Sequence, residues 1–281
     1  MRTHTLRNFT HTALSNNSLK RLKGSCSSFI FGIFNQLYRH NLGKFKDMHK
    51  GERCFILGNG PSLNKQNLAL ISNEVSFVTN SFVLHKDFCE IAPNYYCISD
   101  YRAFADNKES HTLRSIGKYL NFEGSRLFLF VPNRAWFSLC FKSIIKSNVF
   151  YLNFQTNRKI WEDGNFSIDI QKGVKWGHTV ILDFCLPIAF YMGCDEIYLL
   201  GCDMNFSDDK SDNHFYKEID TSNVKRDKNE WELWYKIVLR SYEVAKTVFE
   251  DNNRIIYNAT HGGKLEVFPR VDFESLFSPR F

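Results

Sequence analysis

Seven short apolar runs limit what this chain can fold into: RCFILG (53–58), VSFVTN (75–80), NYYCIS (94–99), RLFLFV (126–131), NVFYLN (148–153), EIYLLGC (196–202) and NRIIYNA (253–259). Each is continuous rather than alternating, and rich in β-branched and aromatic residues. A strand with one wet face alternates, so continuous runs belong to strands buried on both faces, and helical-length segments separate several of them. The pattern predicts an α/β fold, a mainly parallel sheet with helices on both faces. With 281 residues, 43% hydrophobic and 16% aromatic, the chain can build a sizeable core, which excludes disorder as its main state.

Two helices stand out between the runs. HTVILDFCLPIAFYMG is apolar nearly all round and closed by Gly193, so it should be buried against the sheet, with a kink at Pro187. KNEWELWYKIVLRSYEVAKTVFEDN gathers Trp231, Trp234, Val238, Tyr242 and Val248 into one stripe, with charges on the other face. Both stripes are read as core. The tail HGGKLEVFPRVDFESLF ends apolar and should tuck back onto the domain.

The net charge of +6 is unevenly spread: residues 1–50 carry 9 Lys and Arg against one acid, Asp47, while the remainder holds 27 basic and 29 acidic residues. Two regions follow: a basic amphipathic N-terminal helical arm, residues 1–49, and a catalytic domain, residues 50–281. The apolar run in SSFIFGIFNQLYRH is too short for a span of roughly twenty residues, and no small-residue cleavage site follows it. A segment of this kind suits the surface of an anionic membrane, which would place the protein in the cytoplasm, peripheral on the inner face of the cytoplasmic membrane. The alternative is a helix packed on the domain or on a second subunit, which would make a homo-oligomer. No nucleic-acid motif accompanies the basic residues, so no nucleic-acid partner is expected.

The eight cysteines form no C-x-x-C pair and sit mostly inside apolar runs such as RCFIL and LDFCLPIAF. They read as buried thiols of a reducing compartment, with neither a zinc site nor a disulfide framework.

The first run stops abruptly at Gly58-Asn59-Gly60-Pro61-Ser62 and then turns helical. A strand that ends in small residues and opens a helix presents unpaired amides and the positive end of the helix dipole, a place that favours phosphate. Gly58 and Gly60 would permit close backbone approach, Pro61 suits the first helical turn, and Asn59 and Ser62 add polar side chains. Neither G-x-G-x-x-G nor a P-loop ending is present. Later strands also finish in polar residues, Asn80, Asp100 and Asp203, which a parallel sheet would gather on the same rim.

After Asp203 an acidic loop supplies His214 and Tyr216, and its functional reading is a lid that carries a proton-transfer residue. His214, Asp203 and His261 are the candidate catalytic residues; His178 and Thr179, at the start of the buried helix, would face a phosphate or serve as a cap. Asp208, Asp209 and Asp212 are the one candidate set for Mg²⁺, but acidic loops are usually only solvated, so no metal is expected.

The segments GERCFILGNGPSLNKQNLALI, VTNSF, YYCISDYRAF, LPIAFYMGCDEIYLLGCDMNF, NHFYKE and IIYNATHGGKLEVFPRVDFESLF resemble the bacterial hydroxymethylpterin-pyrophosphokinase-like domain family of surface-polysaccharide clusters and flagellin-glycosylation factors, over roughly residues 45–281. More distantly, G-N-G-P-S-L together with E-I-Y-L-L-G-C-D resembles the sialyltransferases of glycosyltransferase family 42. That second resemblance implies a Rossmann-like, GT-A-like enzyme that transfers a nonulosonic acid from a CMP-activated donor with inversion and without a metal or other cofactor. It places Gly58, Asn59, Gly60, Pro61 and Ser62 at the nucleotide, Asn80 on the donor, Asp100 where those enzymes have Asn, and His214 close to one of their phosphate-binding tyrosines, with Tyr216 a further binding candidate. Where they carry Arg and Ser at the buried helix, this chain has Trp176, Gly177, His178 and Thr179.

The resulting expectation is a glycosyltransferase of cell-surface glycan (lipopolysaccharide or capsule) assembly, with a CMP-sugar donor and a glycan or glycolipid acceptor. The alternatives are an ATP-dependent pyrophosphokinase acting on a hydroxymethylpterin, and a non-catalytic nucleotide-binding protein.

Overall fold

The computed structural model describes residues 42–99, 127–136, 139, 148–205, 213–216 and 228–278. All seven expected runs are strands, and all pair in parallel: β1 (Arg53–Leu57), β2 (Val75–Thr79), β3 (Tyr95–Cys97), β4 (Phe128–Pro132), β5 (Val149–Leu152), β8 (Glu196–Leu200) and β9 (Ile255–Asn258). They form one sheet in the order β5-β4-β3-β2-β1-β8-β9. Two further strands, β6 (Phe154–Lys159) and β7 (Val174–Trp176), pair separately. β6 follows the carboxyl end of β5 after the single residue Asn153, so this small sheet extends from that end. FQTNRK is polar and irregular in register, and VKW is three residues long, which is why neither shows in the hydrophobic pattern.

Because β1 lies between β2 and β8, the chain builds the sheet outward in opposite directions, and the connections on the two sides cover opposite faces. Of the α-helices, α1 (Phe88–Ile91) and α2 (Ile160–Asp163) are single turns. The first face carries α3 (Leu186–Met192) and α4 (Lys228–Asp251) on a core of Cys54, Ile56, Phe77, Cys97, Phe130, Ile197 and Leu199. The expected kink at Pro187 takes the form of a π-helical turn, Ile181–Cys185, immediately before α3; proline donates no amide hydrogen bond, and the wider turn absorbs the gap. Every side chain from Ile181 to Met192 is buried, and Gly193 closes the helix in the left-handed region. In α4 the buried stripe is Val238, Ser241, Tyr242, Ala245 and Phe249; Trp231, Trp234 and Val248 are only half-buried.

The opposite face has no long helix among the described residues. Short 3₁₀ turns and the returning tail cover it, with Phe273 and Phe277 packed on Phe55 (ring centroids 6.1 and 5.7 Å). Leu42 and Phe45 lie in the segment that charge groups with the arm, yet both are buried, Phe45 against Phe128, Phe130 and Phe150. The amides of Asp47, His49 and Gly51 donate to the last carbonyls of α3 and its cap, at Tyr191, Met192 and Gly193, satisfying acceptors the helix leaves open. The thiols of Cys54, Cys97, Cys185, Cys194 and Cys202 are buried and form no disulfide with one another, as the apolar runs around them suggest; Cys89 is exposed. No helix among the described residues is long and apolar enough to cross a membrane.

Candidate functional site at the carboxyl ends of β1, β2 and β8

In an open α/β sheet, ligands bind outside the carboxyl ends of the strands where the strand order reverses. Here that crevice is bounded by the loops after β1 and β8, and the two loops interlock. A Cβ on Gly58 would stand 2.4 Å from the carbonyl oxygen of Gly201, and one on Gly60 only 1.7 Å from Oδ2 of Asp203. The Asp203 carboxylate accepts from the Ser62 amide (3.2 Å) and the Ser62 hydroxyl (2.7 Å), while the Asp203 carbonyl accepts from Lys264 (2.7 Å). Burial pushes the Asp203 carboxyl pKa upward, and the two Ser62 hydrogen bonds oppose the shift. In this arrangement Asp203 positions the turn.

This lock engages amides that an open phosphate cradle would need. The amides of Gly58, Gly60, Ser62 and Leu63 donate to Leu200, Gly201, Asp203 and Gly60 at 2.8–3.3 Å, and Pro61 has none to give. The expected helix is a 3₁₀ turn, Pro61–Lys65, with Pro61 at its start as anticipated, and five residues align too few peptide dipoles to attract an anion strongly. The close approach that the two glycines permit is that of a neighbouring loop.

Asn59 faces β2 instead. Its Nδ2 donates to the carbonyl (3.1 Å) and Oγ1 (2.9 Å) of Thr79, and Thr79 Oγ1 donates to Leu57 (3.0 Å), so the ends of the two strands are clamped together. Its Oδ1 is buried and accepts no hydrogen bond. Asn80 follows with φ of 45°, a left-handed conformation; its amide donates to Cys97 (3.1 Å) and its carbonyl accepts from the buried Tyr96 hydroxyl.

Residues 213–216 lie beside this corner. The Phe215 amide donates to the Asn59 carbonyl (2.9 Å), the Phe215 ring stands 4.8 Å from that of His85, and the rings of His214 and Tyr216 stack at 5.1 Å. His85 is 4% exposed and lies flat on Phe82 at 5.1 Å. Its Nδ1 accepts from the Asp87 amide (3.3 Å), which puts the proton of the neutral ring on Nε2, and Nε2 has no partner. Burial lowers the His85 pKa, against the pull of the Asp87 carboxylate 3.8 Å away. Sequence reading passes over His85, which lies in an ordinary loop, and over Thr79, which it reads only as part of the VTNSF segment.

The structure thus brings Asn59, Asn80, His214 and Tyr216 to one corner and Ser62 and Asp203 to the other side of the same turn. His261 is exposed, its amide 3.4 Å from Oε1 of Gln66, which itself donates to Ala259 (2.8 Å). His178 and Thr179 stand apart. Thr179 Oγ1 accepts from the Leu182 amide (3.3 Å) and Asp183 accepts from Gly177 (2.7 Å), so Thr179 and Asp183 satisfy amides at the start of this turn. The His178 ring packs on Trp161 and Trp176. Asp100, Asp208, Asp209 and Asp212 lie outside the described residues, and no cluster of metal-ligating side chains occurs among the described ones.

An open, seven-stranded parallel sheet with helices packed on it defines a Rossmann-like α/β protein. Its family can be named: the chain belongs to the 6-hydroxymethylpterin diphosphokinase MptE-like family, whose model matches residues 30–209. That span runs from before β1 to beyond β8 and includes the interlocked turn, while α4 and β9 lie outside it. No curated protein matches the chain. The fold and the family support transferase-like chemistry; the sugar-nucleotide specificity suggested by the family 42 resemblance belongs to the proposal below.

Proposed function

We propose that this protein is a glycosyltransferase that binds a CMP-activated nonulosonic acid, or a related keto-sugar acid, at the β1–β2 corner and passes the sugar to a glycan or glycolipid acceptor. One observation supports it above the others, the buried and unpartnered Oδ1 of Asn59. An acceptor oxygen repels a phosphate but attracts an N–H or O–H group, and a buried polar atom left unpaired costs about 1–3 kcal/mol. The exocyclic amine of cytosine or a sugar hydroxyl supplies such a donor. The base and sugar would therefore lie at Asn59 and Asn80, with the His214–Tyr216 segment beside them.

In the reaction the acceptor oxygen attacks the anomeric carbon as the bond to the CMP phosphate breaks, the electron pair leaves with the phosphate, and a base takes the hydroxyl proton. His214 is the first candidate base and His261 the second; Tyr216 is the candidate donor to the phosphate, and Asp203 holds the turn. The arm would keep the enzyme at an anionic membrane surface on the cytoplasmic side, beside lipid-linked acceptors.

The family description favours a second reading, diphosphoryl transfer from ATP to a hydroxymethylpterin. That chemistry requires Mg²⁺ and carboxylates, for which Asp208, Asp209 and Asp212 are the candidates. Calorimetric titration with CMP, CDP and ATP, each with and without Mg²⁺, separates the two. Metal-independent CMP binding that Asn59→Ala weakens about tenfold is the expected result. Mg²⁺-dependent ATP binding with no CMP signal overturns the sugar-transfer reading, and CMP binding without turnover of any CMP-sugar points to a non-catalytic protein.

A further inference from the structure

A second surface lies on the small β6–β7 sheet. Trp176 closes β7 and is 43% exposed, although the two residues before it are buried; among the described residues it is the one aromatic in the set of exposed large apolar side chains. Its ring meets that of His178 at 4.0 Å, His178 stacks on Trp161 at 4.6 Å with planes 16° apart, and the two indoles are 5.9 Å apart. The Lys159 ammonium stands 5.4 Å from the Trp161 ring and pairs with Glu162 at 2.7 Å.

The cluster is held in place at a cost in backbone freedom. His178 has φ of 69°, a conformation that a non-glycine residue rarely keeps without support from its surroundings. Lys175, 6% exposed, pairs with Asp163 at 3.0 Å, and its amide donates to Ser167 at 2.8 Å, which ties α2 and the following turn to β7. A Cβ on Gly177 would stand 2.5 Å from Leu182 and 3.0 Å from Ile160, so only glycine lets the start of the π-helical turn and α2 close on the same strand end. Rings fixed this way lose little further freedom on binding.

We propose that Trp161, Trp176 and His178 form a one-sided stacking platform for a saccharide ring, the acceptor glycan of the reaction proposed above, on which the assignment to an acceptor rests. The spacing selects the ligand. A planar heterocycle held between two rings needs about 7 Å, twice a van der Waals contact, and these centroids stand at 4.0–5.9 Å with no slot between them. What remains is the exposed part of the Trp176 indole. A pyranose fits that surface, laying one C–H face on the ring while its hydroxyls point to water or to neighbouring polar groups.

The test is ligand-observed saturation-transfer NMR of the full chain without nucleotide, using lactose, chitotriose and maltotriose as probes and cytidine and 6-hydroxymethylpterin as planar competitors. At least one saccharide should bind, with affinity reduced about tenfold in Trp176→Ala and far less in Trp176→Phe; Trp176 is exposed, so both variants should fold. Equal saccharide binding in Trp176→Ala, no transfer to any saccharide, or displacement of the saccharide by a planar competitor in the wild type but not in Asn59→Ala would each overturn the platform. Loss of CMP binding alone would sink the donor reading and leave this one standing.

Discussion

The two sides of the β1 turn treat their polar groups in opposite ways. Toward β8, each of the described hydrogen-bonding groups is matched: the amides of Gly58, Gly60 and Ser62 have acceptors, and the Asp203 carboxylate has two donors from one residue. Toward β2, Asn59 Oδ1 and His85 Nε2 are buried without partners, and Asn80 holds a left-handed backbone. Buried polar atoms are nearly always satisfied in folded proteins, so the matched side reads as structure and the unmatched side as a place prepared for something else. The glycines that first draw the eye belong to the matched side.

The largest effect should come from the lock. Gly60→Ala drives a Cβ into the Asp203 carboxylate and should cost about 3 kcal/mol in urea unfolding. A loss below 1 kcal/mol would mean the two loops part easily. Next, Asn59→Ala removes the clamp on Thr79 and should cost about 1–2 kcal/mol while the domain stays folded. The same variant should lose nucleotide affinity; unchanged affinity would place the ligand elsewhere.

Asp203→Asn keeps the shape and can still bond Ser62, so its stability at neutral pH should lie within about 1 kcal/mol of the wild type. Because burial raises the Asp203 pKa above its ordinary value of 3.8, the folded chain keeps a proton there that the unfolded chain has already lost. Stability from this group is fully present below about 3.8 and lost as pH rises through the folded value, so the variant should gain on the wild type across that window. A parallel pair of stability–pH curves would show that Asp203 is not desolvated.

The smallest effect concerns His85. Its folded pKa lies below 6.5, so the unfolded chain takes up the proton first, and stability present above 6.5 is lost as pH falls toward the folded value. The difference between wild type and His85→Phe should therefore shift in favour of the variant as pH falls below about 6.5. A pH-independent difference would indicate that His85 Nε2 reaches water.

The seven strands were legible because strands buried on both faces must be continuously apolar, whereas their order in the sheet was not. The buried helix was legible for the same reason. What pattern could not show is which partner each small or polar residue meets. Gly58 and Gly60 signal close approach, but whether the approaching group is a phosphate or the Asp203 carboxylate depends on a loop some 140 residues later in the chain, bonded here to Ser62. Trp176 and His178 are near neighbours in the chain, but Trp161 joins them only because β6 pairs with β7. Hydrophobic periodicity is a local property that one stretch of chain carries by itself; hydrogen-bond pairing, ring stacking and the burial of Asn59 and His85 are relations between distant stretches, and folding alone creates them.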